Sequence, residues 1–214
     1  MFKKVVLLFC EMKLIFVGPQ GSGKGTQAKL SAGKLGVAHI STGDLLRNAS
    51  GVLKKKIDEI INLGKLVPDE LMLEILKERM NKEDAKKGLI LDGFPRNLKQ
   101  ARELDKIVKI FKVIEIHISD KESVKRLSGR WNCRNCGAIY NVNTFPKPKI
   151  EGKCDKCSGD LYQREDDKEE AIKKRLRIYH EETEPILKHY TSIKIDGARA
   201  IEKVSEEILE ALGV

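Results

Sequence analysis

The run KLIFVGPQGSGKGTQ, Lys13 to Gln27, decides how this chain is read. Its apolar start has the length and composition of a buried strand. The glycines that follow turn the backbone tightly before a helix expected to begin at about Lys24. Gly18 and the pair Gly23-Lys24 stand at the spacing of a phosphate-binding loop. In such a loop the backbone N–H groups point inward at an anion, the helix N-terminus adds partial positive charge, and the lysine reaches the terminal phosphates. Gly21, Ser22, Gly23, Lys24, Gly25 and Thr26 are therefore the candidate phosphate contacts. The strict pattern has Ser or Thr directly after the lysine, whereas here Gly25 comes first and Thr26 second, so the loop is a variant form. A plain glycine turn closing a strand and helix would leave the lysine between two glycines unexplained.

Outward from this run, short apolar stretches alternate with helical patterns. They are KLIFVG from Lys13, VAHIS from Val37, GLILD from Gly88, KVIEIHIS from Lys112 and SIKID from Ser192. Five buried strands separated by helices imply an α/β protein with a parallel sheet flanked by helices, and the phosphate loop after the first strand makes it resemble the P-loop nucleoside-triphosphate hydrolase-like folds. Ile201, Val204, Ile208 and Leu212 recur at helical spacing and make an amphipathic closing helix. Two stretches break the alternation and read as inserted subdomains, residues 41–71 (mostly helical, with Gly64 as its stop) and residues 129–167 (rich in Gly, Pro, Asn and Cys). The core is then residues 12–40, 72–128 and 168–214.

With 214 residues, 41% hydrophobic and 34% charged, the chain can bury one ordinary core, and no apolar run approaches the roughly 20 residues of a membrane span. The first 11 residues, MFKKVVLLFCE, hold an apolar run too short for a signal peptide and read as an N-terminal extension or an extra edge strand. The formal charge of +9 suits a phosphate-rich partner without choosing among nucleotide, nucleic acid and anionic membrane. Of 41 basic residues only 11 are Arg, and seven of these (Arg47, Arg96, Arg126, Arg130, Arg164, Arg175 and Arg199) fall in or beside motifs, as expected if they gather around phosphate. Four of the five cysteines form two CxxC pairs, Cys133 with Cys136 and Cys154 with Cys157, separated by 17 residues. That spacing points to tetrahedral thiolate coordination of a structural Zn2+ in a reducing compartment, with Cys10 a buried or incidental thiol.

Several motifs in one order resemble the adenylate kinases and related nucleoside monophosphate kinases. GPQGSGKGTQ resembles their phosphate loop, STGDLLR (Ser41 to Arg47) their acceptor segment, GKLVPDEL their hinge, and LDGFPR (Leu91 to Arg96) their central signature. RLSGR (Arg126 to Arg130) resembles the way into their lid, and YQREDD and KKRL, with Arg164 and Arg175, the way out. The resemblance makes 41–71 a subdomain binding the nucleoside monophosphate and 129–167 a zinc-ribbon lid, a four-cysteine lid being a known variant of the family. It implies transfer of a phosphoryl group from Mg-ATP to AMP to give two ADP. Such a reaction brings two polyanions together and asks for positioned cations, not a strong base.

By the same resemblance the catalytic residues are Lys24, Asp92, Arg96, Arg130, Arg164 and Arg175, with Asp92 holding Mg2+ through water. The ATP side comprises the loop residues 21–26, Arg126, Arg130, Ile139, Tyr140 and Arg199. The AMP side comprises Thr42, Arg47, Lys65, Leu66, Val67, Gly93, Phe94, Pro95, Arg96, Gln100, Arg164 and Arg175. Thr42 is equally readable as a helix cap, and Asp166 and Asp167 are readable either as orienting the lid or the donor or as a solvated acidic turn. Relatives that select pyrimidines tend to have Ala at the Thr42 position and Asn near Gln100, so this sequence resembles the AMP-selecting kind. The expected partners are ATP, AMP and ADP, with no nucleic acid and no membrane, for a cytoplasmic monomer. A kinase for UMP or CMP, and more distantly a zinc-ribbon nucleic-acid binder, are the alternatives.

Overall fold

The computed structural model describes residues 12–62 and 67–214. The expected N-terminal extension, Cys10, the hinge residue Gly64 and the AMP-side candidates Lys65 and Leu66 lie outside the described residues.

The five strands expected from the sequence form one parallel sheet. They are β1 (Lys13–Val17), β2 (Ala38–Ser41), β3 (Leu89–Asp92), β4 (Lys112–His117) and, last in the chain, β8 (Ser192–Asp196), and they lie in the order β2-β3-β1-β4-β8. Their side chains alternate between two buried faces, which is why the runs are almost continuously apolar. Ile15, Val17, Ile40, Leu89, Leu91 and Val113 point into one cluster. Leu14, Phe16, Ile90, Ile114, Ile116 and Ile195 point into the other.

Helix α1 (Lys24–Leu35) covers the second face with Ala28, Ala32 and Leu35, and α9 (Ile201–Leu212) with Val204 and Ile208. On the first face lie α4 (Asp69–Met80) through Met72 and Leu76, α5 (Leu98–Asp105) through Leu104, and Tyr179. Tyr179 opens a π turn, Tyr179–Thr183, between α7 (Glu169–Ile178) and α8 (Ile186–His189).

Register places the site. Phe16 lies opposite both Asp92 and Ile114, and Ser41 lies opposite Asp92, so β1, β2 and β3 end level with one another. Strand β1 has β3 and β2 on one side and β4 and β8 on the other, and a crevice opens at its C-terminal end where the connections part.

Within 41–71 the chain forms α2 (Thr42–Arg47) and α3 (Gly51–Asn62), and Ile57 of α3 packs with Leu71 and Ile75 of α4 in a small cluster of its own. Within 129–167 lie β5 (Arg130–Cys133), β6 (Ile139–Asn141) and β7 (Leu161–Tyr162), an antiparallel sheet in the order β6-β5-β7. It is joined to the core through α6 (Asp120–Ser128), whose Leu127 packs on Ile172 and Leu176 of α7. At the joint, a Cβ on Gly129 would lie 2.6 Å from Asn141 Oδ1, so a larger residue there would have to displace the Asn141 and Asn143 side chains. Among the described residues no helix is long and apolar enough to cross a membrane.

Candidate active site

The phosphate loop leaves β1 and enters α1 through Gly23, whose φ of 90° is left-handed and suits a residue without a Cβ. Helix α6 supports the loop from outside: Ser123 Oγ donates to Gln20 O at 2.8 Å, and Arg126 Nη1 lies 3.5 Å from Gly21 O and Ser22 O. Lys24 Nζ donates to Pro19 O at 3.4 Å. Burial pushes the Lys24 ammonium down to about 8; Asp92 opposes that, while Arg96, Arg175 and Arg130 add to it. The group stays mostly protonated at neutral pH.

Asp92 ends β3 beside this lysine. Burial alone would raise its carboxyl, but His39, Lys24 and Arg96 together outweigh burial and hold it below the usual carboxylate range. His39 Nε2 stands 3.6 Å from Asp92 Oδ2. The variant loop now has a reason: a Cβ at position 25 would lie 3.0 Å from Asp92 Oδ2, so the glycine after the lysine keeps room for that carboxylate.

The arginines close the ring. Arg96 Nε donates to Gly93 O at 2.8 Å. Arg47 Nη2 pairs with Asp44 Oδ1 at 2.6 Å. Arg130 forms a two-pronged pair with the buried Asp167, at 2.8 Å from Nε and 2.5 Å from Nη2. Arg175 Nη1 reaches Asp166 at its carbonyl (2.9 Å) and its carboxylate (2.8 Å). Asp167 is thus no solvated turn residue.

Burial depresses the Arg96, Arg164 and Arg175 guanidiniums, and neighbouring cations depress them further: Arg47 acts on Arg96, Arg130 and Arg47 on Arg164, and Arg130 and Arg96 on Arg175. Arg164 Nε is buried and has no hydrogen-bond partner. Six cations therefore feel one another across a crevice with too few carboxylates to balance them, an arrangement that a polyanion would complete.

On the acceptor side, Ser41 caps α2, its Oγ accepting from Asp44 N at 3.3 Å, and Thr42 takes the first helical position instead. Thr42 is buried and donates from Oγ1 to Gly93 O at 3.0 Å, tying α2 to the loop after β3. Phe94 is buried in the core, and Val67 packs against both the core and the small α3–α4 cluster. Gln100, in the first turn of α5, accepts at Oε1 from Arg96 N and donates from Nε2 to Asp69 Oδ1, both at 2.6 Å.

On the expected ATP side, Ile139 is exposed, but Tyr140 is buried in the small sheet, where its hydroxyl accepts from Asp155 N at 2.8 Å. A nucleotide could meet position 140 only through the backbone. Arg199 pairs with Glu207 (3.0 Å) and with Asp196 (3.4 Å), the last residue of the edge strand β8. Neither His39 nor Asp69 stands out in the sequence as a site residue. His39 lies two residues before Ser41 on the same strand, and only the register of β2 on β3 brings it to Asp92.

Cys133, Cys136, Cys154 and Cys157 bring their sulfurs within 4.8 Å of one another, with Cys133 to Cys157 at 3.4 Å and Cys136 to Cys154 at 3.5 Å. Disulfides need about 2.05 Å, whereas four thiolates around a tetrahedral ion with metal–sulfur bonds of about 2.3 Å sit roughly 3.8 Å apart. The donor set fits one soft metal ion. Burial raises the Cys154 thiol, but the Tyr140 hydroxyl and the Lys156 and Cys157 N–H groups outweigh it and pull it down to about 6.

A parallel sheet of this order, feeding a glycine loop into a helix that starts with lysine, defines a P-loop protein. The chain belongs to the adenylate kinase family, whose model, described as "Adenylate kinase", matches residues 16–195. It is 46% identical over 213 residues to an adenylate kinase of Thermosipho africanus, covering 94% of this chain and 99% of that one. It is 48% identical over 209 residues to an adenylate kinase of Archaeoglobus fulgidus (92% and 96%), and 46% identical over 215 residues to one of Caldicellulosiruptor bescii (95% and 100%).

Proposed function

We propose that this chain transfers the terminal phosphoryl group of Mg-ATP reversibly to AMP, giving two ADP. One observation carries the reading: Lys24, Arg47, Arg96, Arg130, Arg164 and Arg175 face one another over the C-terminal end of a P-loop sheet. The names of its relatives support the same conclusion.

The acceptor phosphate is already an anion and needs no base, so the protein's work is to gather charge and hold it in line. Lys24 and the loop residues 21–26 hold the donor phosphates, and Arg126 backs them from α6. Arg47 and Arg96 hold the monophosphate, while Arg130, Arg164 and Arg175 bear on the group in transfer. Thr42, Gln100 and the backbone of residues 65–67 receive the adenine of AMP. The donor adenine rests near Arg130, the backbone of Ile139 and Tyr140, and Arg199. Residues 41–71 and 129–167 act as two covers that exclude water as a competing acceptor.

Asp92, ionised and given room by Gly25, suits Mg2+ held through water. An ion held there with ATP would supply positive charge against the phosphates. The four cysteines suit Zn2+, which with four thiolates has no open position and serves the lid's structure. Free thiols in that number fit a cytoplasmic protein. We assign no nucleic-acid or membrane partner and take the chain to act as a monomer.

A coupled assay across AMP, GMP, UMP and CMP, with zinc quantified on the same sample, tests the reading. AMP should lead in kcat/KM by about a hundredfold or more. UMP or CMP turnover equal to that of AMP would make this a pyrimidine nucleotide kinase instead.

A further inference from the structure

We infer that Asp69 is a specificity-determining residue: it locks the Gln100 amide in one orientation, so that the acceptor site takes a 6-aminopurine and refuses a 6-oxopurine. The inference rests on the reading that Gln100 meets the base of the acceptor.

Gln100 is 8% exposed, and its backbone is fixed by α5, whose cap Asn97 accepts from Gln100 N at 2.8 Å through Oδ1. Two groups of opposite character hold its side chain. The Arg96 N–H can only donate and takes Oε1; the Asp69 carboxylate accepts from Nε2; both contacts are 2.6 Å. Turning the amide over would set N–H against N–H and carbonyl oxygen against carboxylate. Asp69 opens α4 two residues after Val67, so the carboxylate belongs to the segment that closes on the acceptor, and Lys99 Nζ lies 3.9 Å from its second oxygen.

The consequence is chemical. An amide has two N–H donors and an oxygen with two lone pairs, so these contacts leave one donor and one acceptor for a ligand, in a fixed order. Adenine offers an amino donor beside a ring-nitrogen acceptor. A 6-oxopurine offers the reverse, a carbonyl acceptor beside an N–H donor. A glutamine free to turn over would serve either base, so Gln100 by itself does not discriminate. Discrimination comes from the wrong base meeting like against like in a buried site.

The test compares AMP with inosine monophosphate, which differs from AMP only at that edge. In Asp69→Asn the new amide can donate or accept, so size is kept and the lock is lost. The AMP-to-IMP ratio of kcat/KM should fall about tenfold or more, with KM for ATP near native. Asp69→Glu, which keeps a carboxylate, should retain part of the preference. In a Gln100→Leu background, Asp69→Asn should leave the ratio unchanged, an outcome that a merely structural role for Asp69 would not produce. Should Asp69→Asn fail to fold, Asp69→Ser, too short to reach the amide, should show the same fall. A native ratio retained in Asp69→Asn, or an equal fall in the Gln100→Leu background, overturns the inference and leaves the adenylate kinase reading standing. A native protein that uses AMP and IMP equally would overturn the base reading at Gln100 itself.

Discussion

The cation ring over the large sheet and the cysteine cluster of the small one are both dense in ionisable groups, and they are held together in opposite ways. The ring draws single side chains from separate elements: Lys24 opens α1 and Arg96 follows β3, both packed on the two clusters of the large sheet, while Arg175 lies on α7 and Arg130 opens β5 of the small sheet. The small sheet has only one cluster, and its buried members other than cysteine are Tyr140 and Leu161. One site stands on a core. The other is its own core. It follows that charge can be removed at Lys24 without unfolding the protein, while the cysteine cluster cannot be altered without loosening the lid.

The sharpest test of the first half is Lys24→Ala. Removing one preorganised cation should cut kcat by about 10²–10³-fold, with the melting temperature unchanged. Near-native turnover would mean that the loop holds phosphate without helping transfer. For the second half, Cys154→Ser with Cys157→Ser, or removal of the metal with a chelator, should act the other way round. A crosslink over a loop of about 20 residues contributes about 3 kcal/mol, which corresponds to a fall in Tm of about 6–12 °C for a domain of this size. Initial rates at low temperature should change much less. A Tm unmoved by chelation, measured by calorimetry, would mean that the lid is held by something other than its thiolates.

Gly25→Ala separates stability from activity inside the ring. Alanine is the better helix former by up to about 1 kcal/mol, yet its Cβ would stand 3.0 Å from Asp92 Oδ2 and push the carboxylate aside. Tm should hold or rise while kcat falls about tenfold; equal rates would show that Asp92 has room to spare. The smallest effect lies at the seam between the two regions. His180 places Nδ1 2.8 Å from Glu184 Oε2 and Nε2 3.0 Å from Asp120 Oδ1, where α6 sets out toward the lid. Glu184 and Asp120 raise its pKa above the usual 6.5. Its contribution is therefore complete below that ordinary value and disappears as pH rises through the raised one. The group is half exposed and screened, so the contribution should stay under about 1 kcal/mol. Melting curves of the native protein and His180→Gln should differ at low pH and converge at high pH; a constant gap would place the effect elsewhere.

What could be read from the sequence was whatever is written locally. The five strands carry their burial in consecutive residues, the loop its glycines in nine positions from Gly18 to Thr26, and the metal site its pairs of cysteines. What could not be read depended on register or on a partner far along the chain. Position 140 reads as a nucleotide contact, but only its backbone is left for one, because Tyr140 turns its ring inward in a small sheet with little else to bury. Asp167 is readable from the sequence either as orienting the lid or as a solvated turn, and Arg130, 37 residues earlier, decides against the solvated turn by drawing it under cover. The tie between Asp69 and Gln100 spans 31 residues and two helices, and neither residue type announces it.

The pair between Arg130 and Asp167, with Arg175 on Asp166, has a consequence for the turnover cycle. A guanidinium already engaged by a carboxylate does not have to be stripped of water when a phosphate arrives; it changes hands. Net affinity at these positions is then the difference between two ion pairs, smaller than the phosphate pair alone. On the proposed function, the acidic turn is an internal competitor for the arginines whenever product departs. The same two aspartates would then set both the grip on two polyanions and their prompt release.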